Sequence, residues 1–273
     1  MSDADRALAR ALVDVCLGET GGRAVTDDLR GFLGRHGVAA EDIESAAADP
    51  RGLAVYRTLV QNGLKSVVAR LMPRTRARMN RACAGRFDAD VVRFLDVVSP
   101  RTHYLRDVPG ELFAWAQPTW RADPTVPAYL VDLAAHELAC FGVASSEAAA
   151  GPAPLDDIAL DRSFVFAPSV RLANYAWAVH ELGIEEDEFP DTPARREVHL
   201  LGFRDSSQAV HWLELSPLAA AIVERLAAGD SLGAGIAEAC RARGAVADRS
   251  EIARLLSDLA SRGVLLGGAK PSG

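Results

Sequence analysis

Apolar and polar positions change rhythm along the chain. Leu53, Tyr56, Val60, Leu64, Val67 and Leu71 recur every three or four residues. That spacing predicts one long helix with a buried stripe, ended by Pro73. The same period predicts a helix over Arg6 to Leu17, stopped by Gly18, and, after a Gly-rich link to Gly22, a shorter one through Leu29, Phe32 and Leu33. Helices are also expected over Asp88 to Val98, closed by Ser99-Pro100, briefly over Leu112 to Ala116, and over Pro127 to Val143. Leu130, Leu133, Leu138 and Phe141 form the inward face of the last. Residues 1–145 therefore read as a helical domain. Residues 146–160 are rich in Ala, Ser, Gly and Pro without periodicity, as a linker would be.

The pattern in residues 161–273 is different. Glu197 to Phe203 and Gln208 to Leu215 are β-like runs around Arg204-Asp205-Ser206-Ser207, a polar turn of hairpin length. Three helical patterns follow. One carries Leu218, Ile222, Val223 and Leu226 and stops at Gly229; the next starts at Ser231 and stops at Gly244; the last starts after Asp248 and stops at Gly263. Cap residues or Pro at each start and Gly at each end support those bounds. The expected fold is α+β, a helical N-terminal domain followed by a winged-helix-like C-terminal domain of three strands and three helices. Such a module binds DNA or a peptide.

Composition narrows the classes. The pI near 5.4 and an apolar share near one half fit a packed core. No apolar run approaches the ~20 residues of a membrane helix, and the acidic start, Met1 to Asp5, lacks a signal peptide's regions; the cytoplasm is the expected compartment, with no membrane partner. Cys16, Cys83, Cys140 and Cys240 have no C-x-x-C spacing and sit in helical patterns, so buried free thiols are expected.

Catalytic chemistry is hard to find. There is no G-x-S-x-G elbow, P-loop, dinucleotide fingerprint or kinase motif. Asp132, His136 and Cys140 stand four apart on one helical face, beside Glu137. They read either as ligands of a small metalloenzyme centred on His136 or as a polar flank at a domain contact. No other histidine offers a partner at ligand spacing. Lys65, Arg70, Arg74, Arg76, Arg78, Arg81 and Arg86 run without an intervening acid. They could grip nucleic acid or, the preferred reading, an acidic partner protein, or simply be a solvated helix face or loop. Arg195 to Leu266 carries nine Arg against nine Asp plus Glu, a poor balance for a surface laid against phosphates.

Two sets of residues carry a resemblance. Leu213-Glu214-Leu215-Ser216-Pro217 leading into an Ala-rich helix, Ala228-Gly229-Asp230-Ser231-Leu232, Leu255 to Leu259 and Arg262-Gly263-Val264-Leu265-Leu266 resemble the precursor-peptide recognition element typified by the PQQ-pathway peptide chaperone. Val55-Tyr56-Arg57, Asn62, Pro73, then Ser99-Pro100-Arg101-Thr102-His103-Tyr104-Leu105, Gly110, Phe113, Pro127, Leu133, Glu137 and Leu138 look like the helical domain of the partner proteins of multinuclear non-haem iron oxidases in ribosomal-peptide pathways of the methanobactin and bufferin types. The chain departs from that pattern at Pro73 to Arg78, where the family is more apolar and acidic.

The resemblance implies a non-catalytic subunit. It would bind the leader of a precursor peptide and present the peptide, often at Cys, to the partner oxidase. No catalytic residue, metal site or cofactor of its own is implied; the iron would be the partner's. It implies a strand over Val170 to Val179 that opens the C-terminal sheet. It places the peptide along Val210, His211, Trp212, Leu213 and Glu214, beside Arg254 and Asp258 of the last helix. Trp212 reads as an anchor or as a residue of the inner sheet core. Tyr56, Arg57, Asn62, His103 and Tyr104 are the implied oxidase contacts. The readings that compete are a winged-helix transcriptional regulator and the His136 metalloenzyme.

Overall fold

The computed structural model describes residues 2–18, 27–102, 104–147, 159–183 and 192–268. His103, most of the Gly-rich link and of the 146–160 linker, and the acidic Glu185 to Glu188 loop with Pro190 lie outside them. The chain divides into two compact units, Met1–Ala134 and Ala135–Gly273, with the boundary inside a helix.

The first unit holds α1 (Asp3–Leu17), α2 (Leu29–Arg35), α3 (Ala40–Ala48), α4 (Pro50–Leu71), α5 (Pro73–Ala82), α6 (Arg86–Val97) and α7 (Val108–Ala122); α8 (Tyr129–Ala144) runs across the boundary. Pro73 does end α4, but it also opens α5 at its first position, where the missing N–H costs nothing. The basic segment is therefore a helix, with Thr75, Arg78 and Met79 buried. The expected short helix at Leu112 is fifteen residues long and accommodates Pro118 near its end. The buried line on α4 passes through Leu64 and Val68, whereas Tyr56 is 49% exposed beside outward Val55 and Leu59. Beside it, Arg57 turns inward. Its guanidinium donates to the Val15 and Cys16 carbonyls and to Asp96, joining α4 to α1 and α6.

Two members of the basic run, Arg76 and Arg86, are paired with carboxylates within the fold. Arg76 pairs with Asp88 at 2.8 Å. Arg86 donates to Asp90 and Asp123, at 2.8 and 2.7 Å, and the buried Trp120 indole donates to the same Asp90 oxygen at 2.8 Å. Hydrogen bonds from Thr125 and Arg86 hold the Asp123 carboxyl down to about 2.

The second unit is built on an antiparallel sheet of β2 (Arg171–Tyr175), β3 (Val198–Arg204) and β4 (Val210–Leu215), with β3 central. The strand expected to reach Val179 ends at Tyr175, and a 3-10 turn, Val179–Glu181, follows. A separate ribbon pairs β1 (Phe164–Phe166) with β5 (Leu265–Gly268). Helices α9 (Pro217–Ala227), α10 (Leu232–Arg243) and α11 (Arg249–Ser261) pack on one face of the sheet. Their N-terminal amides are capped by Ser216, Ser231 and Asp248. At the end of α11, Gly263 adopts φ +72° and the Val264 N–H returns to the Leu259 carbonyl, a turn that disfavours any side chain at Gly263. Leu201, Phe203, Ile222, Val223, Leu226, Leu256 and Leu259 form the core, each side chain contributing roughly 1.5–3 kcal/mol by leaving water. The architecture is α+β, as the sequence implies. Among the described residues no disulfide joins the cysteines; Cys16 alone is fully buried, and Cys83, Cys140 and Cys240 are partly exposed.

Candidate functional site

The β3–β4 hairpin positions the residues singled out at the peptide edge. Asp205 closes its turn, accepting from the Ser207 and Ala209 N–H groups, the Ser207 hydroxyl and His211 Nε2. Those bonds, led by Ser207 and His211, hold its carboxyl down to about 2. The Asp205 N–H donates to the Ala209 carbonyl, and the register runs from Arg204 opposite Val210 to His199 opposite Leu215. Hydrogen-bonded and open pairs alternate in an antiparallel ladder. Counting from Asp205, the N–H and C=O groups of Val210, Trp212 and Glu214 face away from β3. β4 is an edge strand, and no described strand pairs with that side.

The side chains divide between two faces. His211, Leu213 and Leu215 point to the helices; His211 stacks on Phe203, with ring centroids 5.4 Å apart. Trp212 points the other way, 4.8 Å from the His136 ring of α8, and lies across Gly202. A Cβ at Gly202 would stand 2.6–2.9 Å from three indole carbons. Gly202→Ala is therefore expected to expel the indole from its seat at a cost of about 1–3 kcal/mol. A red shift of tryptophan emission together with a lower midpoint of chemical unfolding would register it; an unchanged spectrum would mean that the ring is held elsewhere.

Glu214 shares that face. Arg196 grips both of its oxygens and also reaches Glu181, while His180 Nε2 lies 3.4 Å from Glu214. The Arg196 bonds lead the lowering of the Glu214 carboxyl. His180, Glu181 and Glu214 are the one set of three His, Cys or carboxylate residues among the described ones close enough to share a metal ion. Sequence reading missed this set because Glu214 lies on a different segment from the adjacent His180 and Glu181. The Arg196 guanidinium already neutralises both carboxylates, so an ion would have to displace it. His136 and Cys140, the sequence candidates for metal, stand 3.7 Å apart and do not form such a set.

On the helical side, a groove of ≈ 370 Å³ lies between the start of α9 and the exposed flank of α11. Leu218, Ala219, Ile222, Ile252 and Leu255 supply its apolar lining, and Asp248, Glu251 and Arg254 its rim. Arg254 thus meets the groove, whereas Asp258 is taken up by Arg262 at 2.8 Å. Of the residues expected to face a partner oxidase, Tyr56, Asn62 and Tyr104 are exposed, and Arg57 is committed to the interior contacts described above.

Sheet, flanking helices and open edge define an α+β module whose free strand lies at its surface. Residues 167–261, all within the second unit, match the family model of the HvfC C-terminal domain. No curated protein matches the chain. No described helix is long and apolar enough to cross a membrane.

Proposed function

We propose that the chain is the non-catalytic recognition subunit of a peptide-modifying, iron-dependent oxidase. The observation that carries this reading is the unpaired edge of β4, within a region similar to the HvfC C-terminal domain. A leader peptide of a ribosomally made precursor adds to that edge as a fourth strand. The outward backbone groups of Val210, Trp212 and Glu214 supply its hydrogen bonds, and the neighbouring surfaces supply side-chain selection. The helical unit holds the oxidase through Tyr56, Asn62 and Tyr104. Joining both functions in one chain raises the local concentration of the modified segment at the partner's metal centre. Arg195 to Leu266 carries equal numbers of Arg and of Asp plus Glu, and α11 alternates Arg249, Glu251, Arg254, Asp258 and Arg262, which argues against docking on nucleic acid.

The reading makes the partner the owner of the iron. The chain purified alone is expected to hold no stoichiometric iron and to capture both oxidase and precursor from a mixture of the three. Tightly held iron at about one or more per chain, lost in His136→Ala, would make the metalloenzyme reading the better one.

A further inference from the structure

We infer that the cavity between α4, α5 and α6 seats one apolar side chain of an acidic peptide segment on a protein partner, with Lys65 and Arg70 taking the flanking carboxylates. The site lies wholly in the helical unit and does not depend on strand addition at β4.

Shape comes first. Lys65 and Ala69 of α4, Arg76 of α5, and Phe87, Val91 and Val92 of α6 line a cavity of ≈ 460 Å³. That volume lies in the lower half of the ~300–1,000 Å³ range of ligand clefts. Phe87 and Val91 are buried and make an apolar floor, and exposed Val92 carries it outward. Ala69 presents only a methyl group from the α4 wall. An apolar side chain set on this floor leaves water on most of its surface. Arg76 also falls in the segment where the chain departs from the resembled family pattern, so the basic wall is this chain's own.

Charge decides what covers the floor. Residues 62–92 carry seven Lys plus Arg against two Asp, a local net charge of 7 − 2 = +5 in a chain whose net charge is −7. Arg76 is already matched, since Asp88 accepts from its Nε at 2.8 Å and from Nη2 at 3.4 Å. Arg86 has Asp90 and Asp123. Among the described residues, no carboxylate pairs with Lys65 or Arg70. Lys65 is half-buried at the cavity, and Arg70 stands one turn beyond Ser66 on the same face of α4. A half-buried ammonium has lost part of its hydration, with no ion pair here to offset the loss. A carboxylate brought by a partner supplies that offset. Nucleic acid is also anionic, but its phosphate backbone has no apolar group for the floor, and it would meet the Asp88 carboxylate at the rim.

The test is fluorescence anisotropy of a labelled acidic peptide, one Leu flanked on both sides by Asp and Glu, titrated with the full chain at about 0.15 M salt. Saturable binding is expected. Replacing the peptide's Leu by Ser should weaken it about tenfold or more, and Lys65→Glu about fivefold or more. Ala69→Trp, which fills the cavity, should abolish binding. Val92→Asp at the exposed lip makes the same test if circular dichroism shows that Ala69→Trp does not fold. Val210→Pro should bind this peptide as wild type does. Binding that Val210→Pro removes and Lys65→Glu leaves unchanged assigns the peptide to β4 and overturns the cavity inference. Binding indifferent to the central Leu is charge attraction alone and overturns it too, as does a single-stranded oligonucleotide of equal charge that binds as tightly. An absence of binding overturns it as well and leaves the β4 reading untouched.

Discussion

Val210→Pro is expected to weaken capture of the precursor leader by about tenfold or more. The N–H of Val210 faces the open side of β4 by the alternation of the ladder. Proline removes that donor, worth ~1 kcal/mol net, and its ring also misaligns the incoming strand. Together these reach the ~1.4 kcal/mol that makes a factor of ten. The fold should survive, because proline is tolerated on an edge strand where the N–H looks outward. The measurement is a titration of labelled leader against both proteins, with circular dichroism as the control for folding. A folded variant that binds as tightly as wild type would move the peptide away from β4. Oxidase binding by the helical unit should not change.

Asp90→Ala should be the costlier change for stability. Asp90 is 8% exposed and one of its oxygens serves both Arg86 and the Trp120 indole, itself 1% exposed. Alanine leaves a buried N–H without an acceptor and a half-buried guanidinium with only Asp123. Removing one member of such a network costs about 2–5 kcal/mol. Urea unfolding followed by tryptophan fluorescence would measure it. A loss below ~1 kcal/mol would show that water replaces the carboxylate. Asp90→Asn, which keeps an acceptor for Trp120, should recover part of the loss.

The elements legible in the sequence were those written locally. Ser216, Ser231 and Asp248 with Gly229, Gly244 and Gly263 bracket three helices within a residue or two, because caps act through neighbouring amides. The hairpin was legible for the same reason. Pro73 misled because one residue can stop a helix and start the next. Tyr56 shares the apolar spacing of α4 yet is exposed, because helical spacing tells which residues share a face, not which face the neighbours cover. The β1–β5 ribbon was not legible, since Phe164 finds Gly268 only through the whole intervening unit. At the site, β4 was visible as a strand, but its standing at an edge depends on strand order. The Arg196–Glu214–Glu181 network and the α9–α11 groove likewise gather residues that no local spacing relates.

The ribbon also bears on how the second unit folds. Helices α9 to α11 and the β3–β4 hairpin join near neighbours in sequence, whereas Phe164 and Gly268 must close a loop spanning about three quarters of the unit. Closure entropy grows with loop length, and non-local pairing slows folding. The order implied is hairpin and helices first, ribbon last. A chain still lacking Leu265 holds every residue of the β3–β4 hairpin but cannot pair the ribbon.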